Sequence, residues 1–231
     1  MAVVSVTAAD FINNAARTVT VTGATAGNWL VAFAMNDSAA TAPTITTTAG
    51  TTSAWSSRFT ATDGGNFYSH NGATATVTTS GNITVSASQV AGGIYTGLVV
   101  FEVNNVASYD GQSNATNITS NNFDTGSRTP GSYNAMAVGV GVNWTGSTPT
   151  VNDSATDQGS GLNYPGFGVL GRFSNEQVTS GSAQLDYTAG GNPNHAGMIV
   201  LIESGGGGGG TTGPMIKHSN IGNDICLNGL L

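Results

Sequence analysis

The chain has 231 residues, of which 7% are charged, and it carries a net charge of −7 at neutral pH. Its five Lys and Arg residues are scattered, so it lacks the basic patch that neutralises phosphates, and we expect no nucleic-acid partner. The longest apolar runs are far shorter than the ~20 residues of a membrane-spanning helix, and we expect no membrane segment.

The N-terminal residues have no Lys or Arg ahead of a long apolar stretch, so they do not resemble a signal peptide. We therefore expect synthesis in a cytoplasm, and the single cysteine, Cys226, is typical of a reducing compartment. Residues 1–17 are predicted to form an N-terminal arm and an entry strand.

Apolar and polar residues alternate along four segments, which predicts strands with one buried face. These segments are residues 18–22, 73–77, 82–88 and 183–187. Four continuous apolar runs predict central strands that are covered on both faces. These runs are residues 29–35, 98–103, 136–142 and 198–202. No ten-residue stretch has helical periodicity, so we predict an all-β fold.

The strand pattern repeats along the chain. Residues 28–32 align with residues 134–138 at an offset of 106, and residues 98–102 align with residues 199–203 at an offset of 101. Pro43-Thr44-Ile45 and Pro149-Thr150-Val151 also match at an offset of 106, and Val77-Thr78 and Val178-Thr179 match at 101. We predict two duplicated Greek-key halves that together form one antiparallel, jelly-roll-like β-sandwich.

This repeat defines a domain layout. The predicted sandwich covers residues 18–204, with halves at residues 28–103 and 134–203 and a long polar crossover at residues 104–125. A glycine-rich linker follows at residues 205–214, and an apolar, extended tail at residues 215–231.

The repeat places Glu102 and Glu203 at equivalent strand ends. Two such carboxylates could be the acid and base of a glycosidase. The alternative, which we favour, is that both face solvent or pair with an Arg where each strand leaves the core.

Other chemical motifs are weak. Residues 166–171 match G-x-G-x-x-G, but no helix follows to hold a pyrophosphate, so we interpret them as a glycine-rich strand. His70, His195 and His218 are far apart in sequence and form no metal-binding or catalytic motif, and we interpret them as loop histidines. We expect no cofactor and no catalytic residue.

Residues 153–159 carry the oxygen ligands of a calcium loop but lack its regular spacing and terminal Glu. A turn with Asx hydrogen bonds is the favoured interpretation, and no metal site is expected. Cys226 lies among apolar residues, which favours packing over a nucleophilic role.

Trp55 and Trp144 lie in Ser/Thr/Gly-rich connections, in company similar to that of Tyr109 and Tyr164. Exposed aromatic rings on a sandwich rim can stack on sugar rings, so both Trp residues are possible glycan contacts. The alternative is that each ring plugs an open end of the sandwich core.

The glycine-rich linker is flexible by composition. The tail beyond it is too short to form its own core, so its apolar side chains need another surface to cover them. These are Ile216, Ile221, Ile225, Leu227, Leu230 and Leu231. Their burial is worth roughly 9–18 kcal/mol, and ordering the segment costs a similar amount at ~1–2 kcal/mol per residue. Such a tail would dock stably only when tethered and displayed in many copies.

The order of strands and the Thr/Ser/Gly-rich texture of residues 18–203 resemble low-charge β-sandwich domains of tailed-bacteriophage virion proteins. Similar domains occur in large secreted bacterial surface proteins. The resemblance includes no diagnostic motif and transfers no functional residue. It implies a non-enzymatic capsid decoration (cement) or fibre protein, made in the host cytoplasm, that binds capsid subunits or copies of itself through its termini. The alternative is a carbohydrate-binding or adhesin module.

Overall fold

The fold is taken from a computed structural model of the chain. It describes residues 1–37, 41–62, 68–90, 95–132, 134–152, 154–164, 166, 168–191 and 193–204. The glycine-rich linker and the apolar tail, with its six predicted docking residues, lie outside the described residues, as do Cys226 and His218.

Sixteen strands account for the secondary structure of the described residues, which contain no helix. The first eight are β1 (Ala2–Asn13), β2 (Arg17–Ala24), β3 (Trp29–Asp37), β4 (Ile45–Ala49), β5 (Ser56–Thr62), β6 (Tyr68–Thr76), β7 (Gly81–Ala87) and β8 (Tyr95–Asn104). The second eight are β9 (Val106–Ile118), β10 (Asn122–Asp124), β11 (Ala135–Asn143), β12 (Thr150–Val151), β13 (Thr156–Tyr164), β14 (Gly168–Val178), β15 (Asp186–Thr188) and β16 (Asn194–Glu203). The all-β prediction is confirmed.

The two sets of eight strands have the same topology. The first set forms a five-stranded sheet in the order β1-β8-β3-β6-β5 and a three-stranded sheet in the order β2-β7-β4. The second set forms sheets in the orders β9-β16-β11-β14-β13 and β10-β15-β12, which are the same orders counted from β9. Every strand pairing is antiparallel. We call these the first and second sandwich.

Duplication and the antiparallel, jelly-roll-like character are therefore as predicted, but the repeating unit is larger. Each half is an eight-stranded sandwich of its own, rather than one Greek-key half of a shared sandwich. The predicted crossover at residues 104–125 is wrong, because it contains β9 and β10. The first of these is the long polar edge strand of its sheet, equivalent to β1.

Three hydrophobic cores hold the strands together. A first core fills the first sandwich and a second core fills the second sandwich. A central core joins the two five-stranded sheets face to face, so the sheets form four layers. In β3, Val31 and Phe33 enter the central core, whereas Leu30 and Ala32 enter the first core. This two-sided burial explains why the central strands are continuously apolar.

The registers correct the repeat alignment in β3 and β8. Leu30 faces the first core but its aligned residue Met136 faces the central core, and Leu98 differs from its aligned residue Ile199 in the same way. A slip of one residue reverses the face of every side chain in a strand. With the pairings superposed, Asn36 corresponds instead to Asn143.

The two sandwiches meet with approximate twofold symmetry. The edge strand β1 lies beside β13, and β5 lies beside β9, which is the equivalent pair in the opposite direction. Asp10 accepts hydrogen bonds from the backbone and side-chain nitrogens of Asn163 at 2.9 and 3.0 Å. On the other side, the Arg58 guanidinium lies 4.1 Å from the ring centre of Tyr109. The interface resembles that of a symmetric dimer within one chain.

Candidate functional site

Two buried histidines and two stacked aromatic rings lie together at one end of the central core. There the rings of Tyr68 and Trp144 stack with centroids 4.1 Å apart. His195 makes edge contacts to both, at 5.3 and 6.2 Å, and its ring lies 6.3 Å from that of His70. His70 comes from the first sandwich and His195 from the second. This histidine pair therefore spans the interface between the sandwiches.

Strand periodicity explains why both histidines point inward. In β6, Ala73 faces the first core, so His70, three residues away, has the opposite orientation and faces the central core. In β16, Ile199 faces the central core, and His195, four residues away, shares its face. The interpretation of His70 and His195 as loop residues is therefore wrong. The signal in the sequence is the alternation of faces along a strand. Counted from Ala73 and Ile199, it places both histidines on the face of the central core.

The histidine pair lines a small cavity. His70 is 6% exposed and His195 is 4% exposed. The Nε2 atom of each ring has no hydrogen-bond partner among the described residues. The cavity that they line has a volume of about 10 Å³, about the smallest that holds one water molecule. Met35, Ala61, Tyr68, Ser69, Val142 and Trp144 complete its wall.

Burial keeps both rings neutral. Burial, with a smaller contribution from the nearby His195, lowers the pKa of His70 to about 3. Burial likewise lowers the pKa of His195 to about 4. A neutral imidazole offers one N–H and one lone pair, so each ring can donate or accept a single hydrogen bond at the cavity.

The described residues do not supply a metal centre around this pair. No group of three or more His, Cys, Asp or Glu side chains within the described ranges is arranged to hold a metal ion. The cavity-lining residues include no carboxylate. The two unpartnered ring nitrogens and the volume of the cavity suit a small polar occupant of about the size of water.

The two candidate glycan contacts have different environments. Trp144 is 8% exposed, and Tyr68 covers one of its faces and Phe11 packs against it at 5.3 Å. Its ring is thus part of the central core and has no exposed face for a sugar. Trp55 is half-buried against the first core, and its Nε1 donates a 3.0 Å hydrogen bond to Oγ1 of Thr47. A glycan contact at Trp55 stays a prediction.

Glu102 and Glu203 are not equivalent residues. Glu102 is 2% exposed, and its Oε1 accepts hydrogen bonds from the backbone of Thr25 at 2.9 Å and from the side chain of Asn28 at 2.7 Å. Glu203 receives the amino group of Met1. Neither the solvent-facing nor the Arg-paired interpretation fits Glu102, whose carboxylate fastens the β2–β3 turn.

The remaining motifs have structural roles. Gly168 and Gly171 belong to β14, as the strand interpretation predicted. Asp157 accepts a 2.8 Å hydrogen bond from the backbone of Gly159, which is an Asx turn, and it also pairs with Arg172. Asp153, the first residue of the possible calcium loop, lies outside the described residues.

Two surface grooves are large enough for a ligand. One of about 310 Å³ follows the junction of β1 and β13 and is mainly polar, with Asp10, Gln158, Ser160 and Asn163 in its walls. The other, of about 290 Å³, lies on the small sheet of the second sandwich, beside Asp124 and Asp186.

The first and last described residues lie at one corner of the molecule. The amino group of Met1 contacts Glu203, and the backbone N–H of Ser204 donates to the carbonyl of Asn105. The strand that starts at this corner, β1, carries the large apolar side chains that are exposed among the described residues, Val4 at 52% and Ile12 at 37%. The last described residue therefore lies near an edge strand that has exposed apolar side chains.

The fold defines a duplicated, all-β protein of two jelly-roll-like sandwiches packed sheet to sheet. No helix long and apolar enough to cross a membrane occurs in the described part of the chain. Comparison with protein-family models, curated proteins and solved structures found no match.

Proposed function

We propose that this chain is a non-enzymatic structural protein of a bacteriophage virion. Its most specific role would be a capsid decoration (cement) protein that binds neighbouring capsid subunits, or copies of itself, through its termini. The low-charge β-sandwich texture supports the virion assignment, and two sandwiches fused through a large apolar core provide a rigid body for such a role.

The observation that carries the proposal is the corner at which Met1 and Glu203 meet. Ser204, the residue that precedes the linker in the sequence, lies at this corner, where the edge strand β1 starts. Ten linker residues have a root-mean-square reach of roughly 16–19 Å. The apolar tail can therefore sample the surface around this corner, including that of an adjacent subunit, and the tether raises its effective concentration to about millimolar.

Removal of the linker and tail is the direct test. We expect a chain of residues 1–204 to fold, because all three cores lie within it. We expect it to sediment with capsid particles much less than the full-length chain does. Equal co-sedimentation of the two chains would refute docking through the tail, and the absence of sedimentation by the full-length chain would refute a decoration role.

Point substitutions sharpen this test. Ile221→Asp and Leu227→Asp place a charge on apolar tail positions, whereas Ser219→Asp and Asn228→Asp place the same charge on polar positions of the same tail. We expect at least tenfold weaker particle binding for the first pair and little change for the second. Equal weakening in both pairs would indicate a general charge effect rather than an apolar contact.

Carbohydrate binding is the second candidate, and the polar groove between β1 and β13 favours it. Carboxylate, amide and hydroxyl groups from Asp10, Asn163, Gln158 and Ser160 line about 310 Å³, a volume typical of small-ligand sites. A glycan array with the full-length chain tests this function. Binding that is lost in Gln158→Ala but retained in Trp144→Phe would support the groove, and an array without any bound glycan would refute it.

A further inference from the structure

We propose that His70 and His195 form a water-bridged latch between the two sandwiches, and that acid opens this latch. The two rings come from different sandwiches, and their Nε2 atoms both lack a partner among the described residues. Both residues line a cavity of about the size of one water molecule. A buried polar nitrogen without a partner is costly, so an occupant that bonds to both is strongly favoured.

Water fits the chemistry of the cavity. One water molecule can accept the N–H of one neutral imidazole and donate to the lone pair of the other. The aromatic rings of Tyr68 and Trp144 also line the site, together with Met35 and Val142. The bridge therefore replaces two unmet hydrogen bonds with a polar link at the edge of the apolar central core.

Protonation removes the basis of this bridge. A protonated ring offers only N–H donors, and two cations would then face each other across 6.3 Å between ring centroids in a buried place. Within the described ranges, the surrounding elements offer little compensation. On β3, Asp37 already accepts a hydrogen bond from the backbone of Tyr95. On β5, the Arg58 cation is directed to Tyr109. The other titratable group of the cavity wall is the Tyr68 phenol.

The sign of the pH dependence follows from the lowered pKa values of both histidines. In the unfolded chain each histidine takes up a proton as the pH falls below about 6.5, whereas in the folded chain both stay neutral down to about 4 for His195 and about 3 for His70. Stability is therefore full above pH 6.5 and declines as the pH falls towards 4. The folding equilibrium constant should fall up to tenfold per pH unit for each histidine.

Urea unfolding of the full-length protein between pH 7.5 and 4.5 tests the latch. Carboxylates contribute a background that is common to all variants, so the difference between variants is decisive. We expect His70→Gln and His195→Gln each to remove up to tenfold per pH unit of the decline, and the double variant to remove up to a hundredfold. Gln keeps hydrogen-bonding capacity but cannot titrate in this range. A double variant with the pH dependence of the parent protein would overturn the proposal.

Two further measurements use the unmodified protein and therefore do not depend on the folding of any variant. Nuclear magnetic resonance titration of the imidazoles in the unmodified protein should show both rings neutral at pH 5.5, and a protonated ring in the folded state at pH 6 would overturn the latch. A high-resolution crystal structure at pH 7.5 should show one water within hydrogen-bond distance of both Nε2 atoms. A dry cavity would overturn the bridge.

Discussion

Asn36 and Asn143 occupy the same position in the two sandwiches. Each donates its side-chain N–H to the residue opposite, on β8 in the first sandwich and on β16 in the second. Asn36 donates to Oγ1 of Thr96 at 2.9 Å, and Asn143 donates to Oδ1 of Asn194 at 2.7 Å. Both asparagines are fully buried. The duplicated fold thus retains a polar contact at the same place in both copies, where a side chain with unmet hydrogen bonds would be destabilising.

The two copies of this contact differ in how completely they are satisfied. Oδ1 of Asn143 also accepts from the backbones of Thr145 and Ser147, both at 3.0 Å, whereas Oδ1 of Asn36 has no partner among the described residues. We expect Asn143→Ala to lower the free energy of unfolding by about 3 kcal/mol and Asn36→Ala by about 1 kcal/mol. Urea denaturation of both variants is the measurement, and each serves as the size-matched control of the other. Equal losses would contradict this account.

Close packing of glycines in β11 leads to a second prediction. A Cβ atom at Gly141 would lie 2.5 Å from the ring of Tyr187. That ring is fully buried, and its hydroxyl pairs with the Ser174 hydroxyl at 2.7 Å. We therefore expect Gly141→Ala to displace the ring and to lower the free energy of unfolding by about 2–3 kcal/mol.

Gly190→Ala is the control for this variant. Gly190 is exposed, and a Cβ atom there would lie 3.3 Å from its nearest neighbour, Oγ of Ser147. We expect the free energy of unfolding of this variant, measured by thermal denaturation, to stay within about 0.5 kcal/mol of that of the parent protein. A Gly141→Ala variant as stable as Gly190→Ala would show that the Tyr187 ring can move without loss.

The contact between Arg58 and Tyr109 leads to a third prediction, on the strength of the seam between the sandwiches. Burial lowers the pKa of Arg58 and raises that of Tyr109, so both groups are partly withdrawn from water. A double-mutant cycle of Arg58→Met and Tyr109→Leu should give a coupling free energy of about 0.5–1 kcal/mol. Tyr109→Phe keeps the ring and should retain most of it. A coupling near zero would mean that the contact does not stabilise the seam.

Features that depend on a local pattern of residues could be predicted from the sequence. Features that depend on which strands pack against each other could not. Continuous apolar runs such as that of β3 marked the central strands, because both faces of these strands are buried. The polar edge strands β9 and β13 have no such run. The sequence therefore predicts a crossover where β9 lies, and the predicted halves contain too few strands. The histidine pair was missed because it forms between strands that are paired with other neighbours and come from different sandwiches.

The last prediction exchanges one feature between the two copies. In the first sandwich, the Phe59 ring of β5 lies over Gly72 of β6, where a Cβ atom would be 2.3 Å from the ring. Phe173 stands at the position of Gly72 in the second sandwich and fills the central core from there, with Gly161 of the neighbouring strand beneath its ring. The ring is thus supplied by different strands in the two copies.

Transposing Phe59 and Gly72 should reproduce the second arrangement in the first sandwich. We expect Phe59→Gly alone to cost about 3–5 kcal/mol through the cavity it leaves, and Gly72→Phe alone to be destabilising because two rings compete for one space. Because one ring again faces the central core, the double variant should lose at most half as much free energy of unfolding as the more destabilised single variant does. Urea unfolding of the three variants decides the matter. Additive losses in the double variant would show that Gly72 and Phe173 are not interchangeable and that the two sandwiches fill the central core by separate solutions.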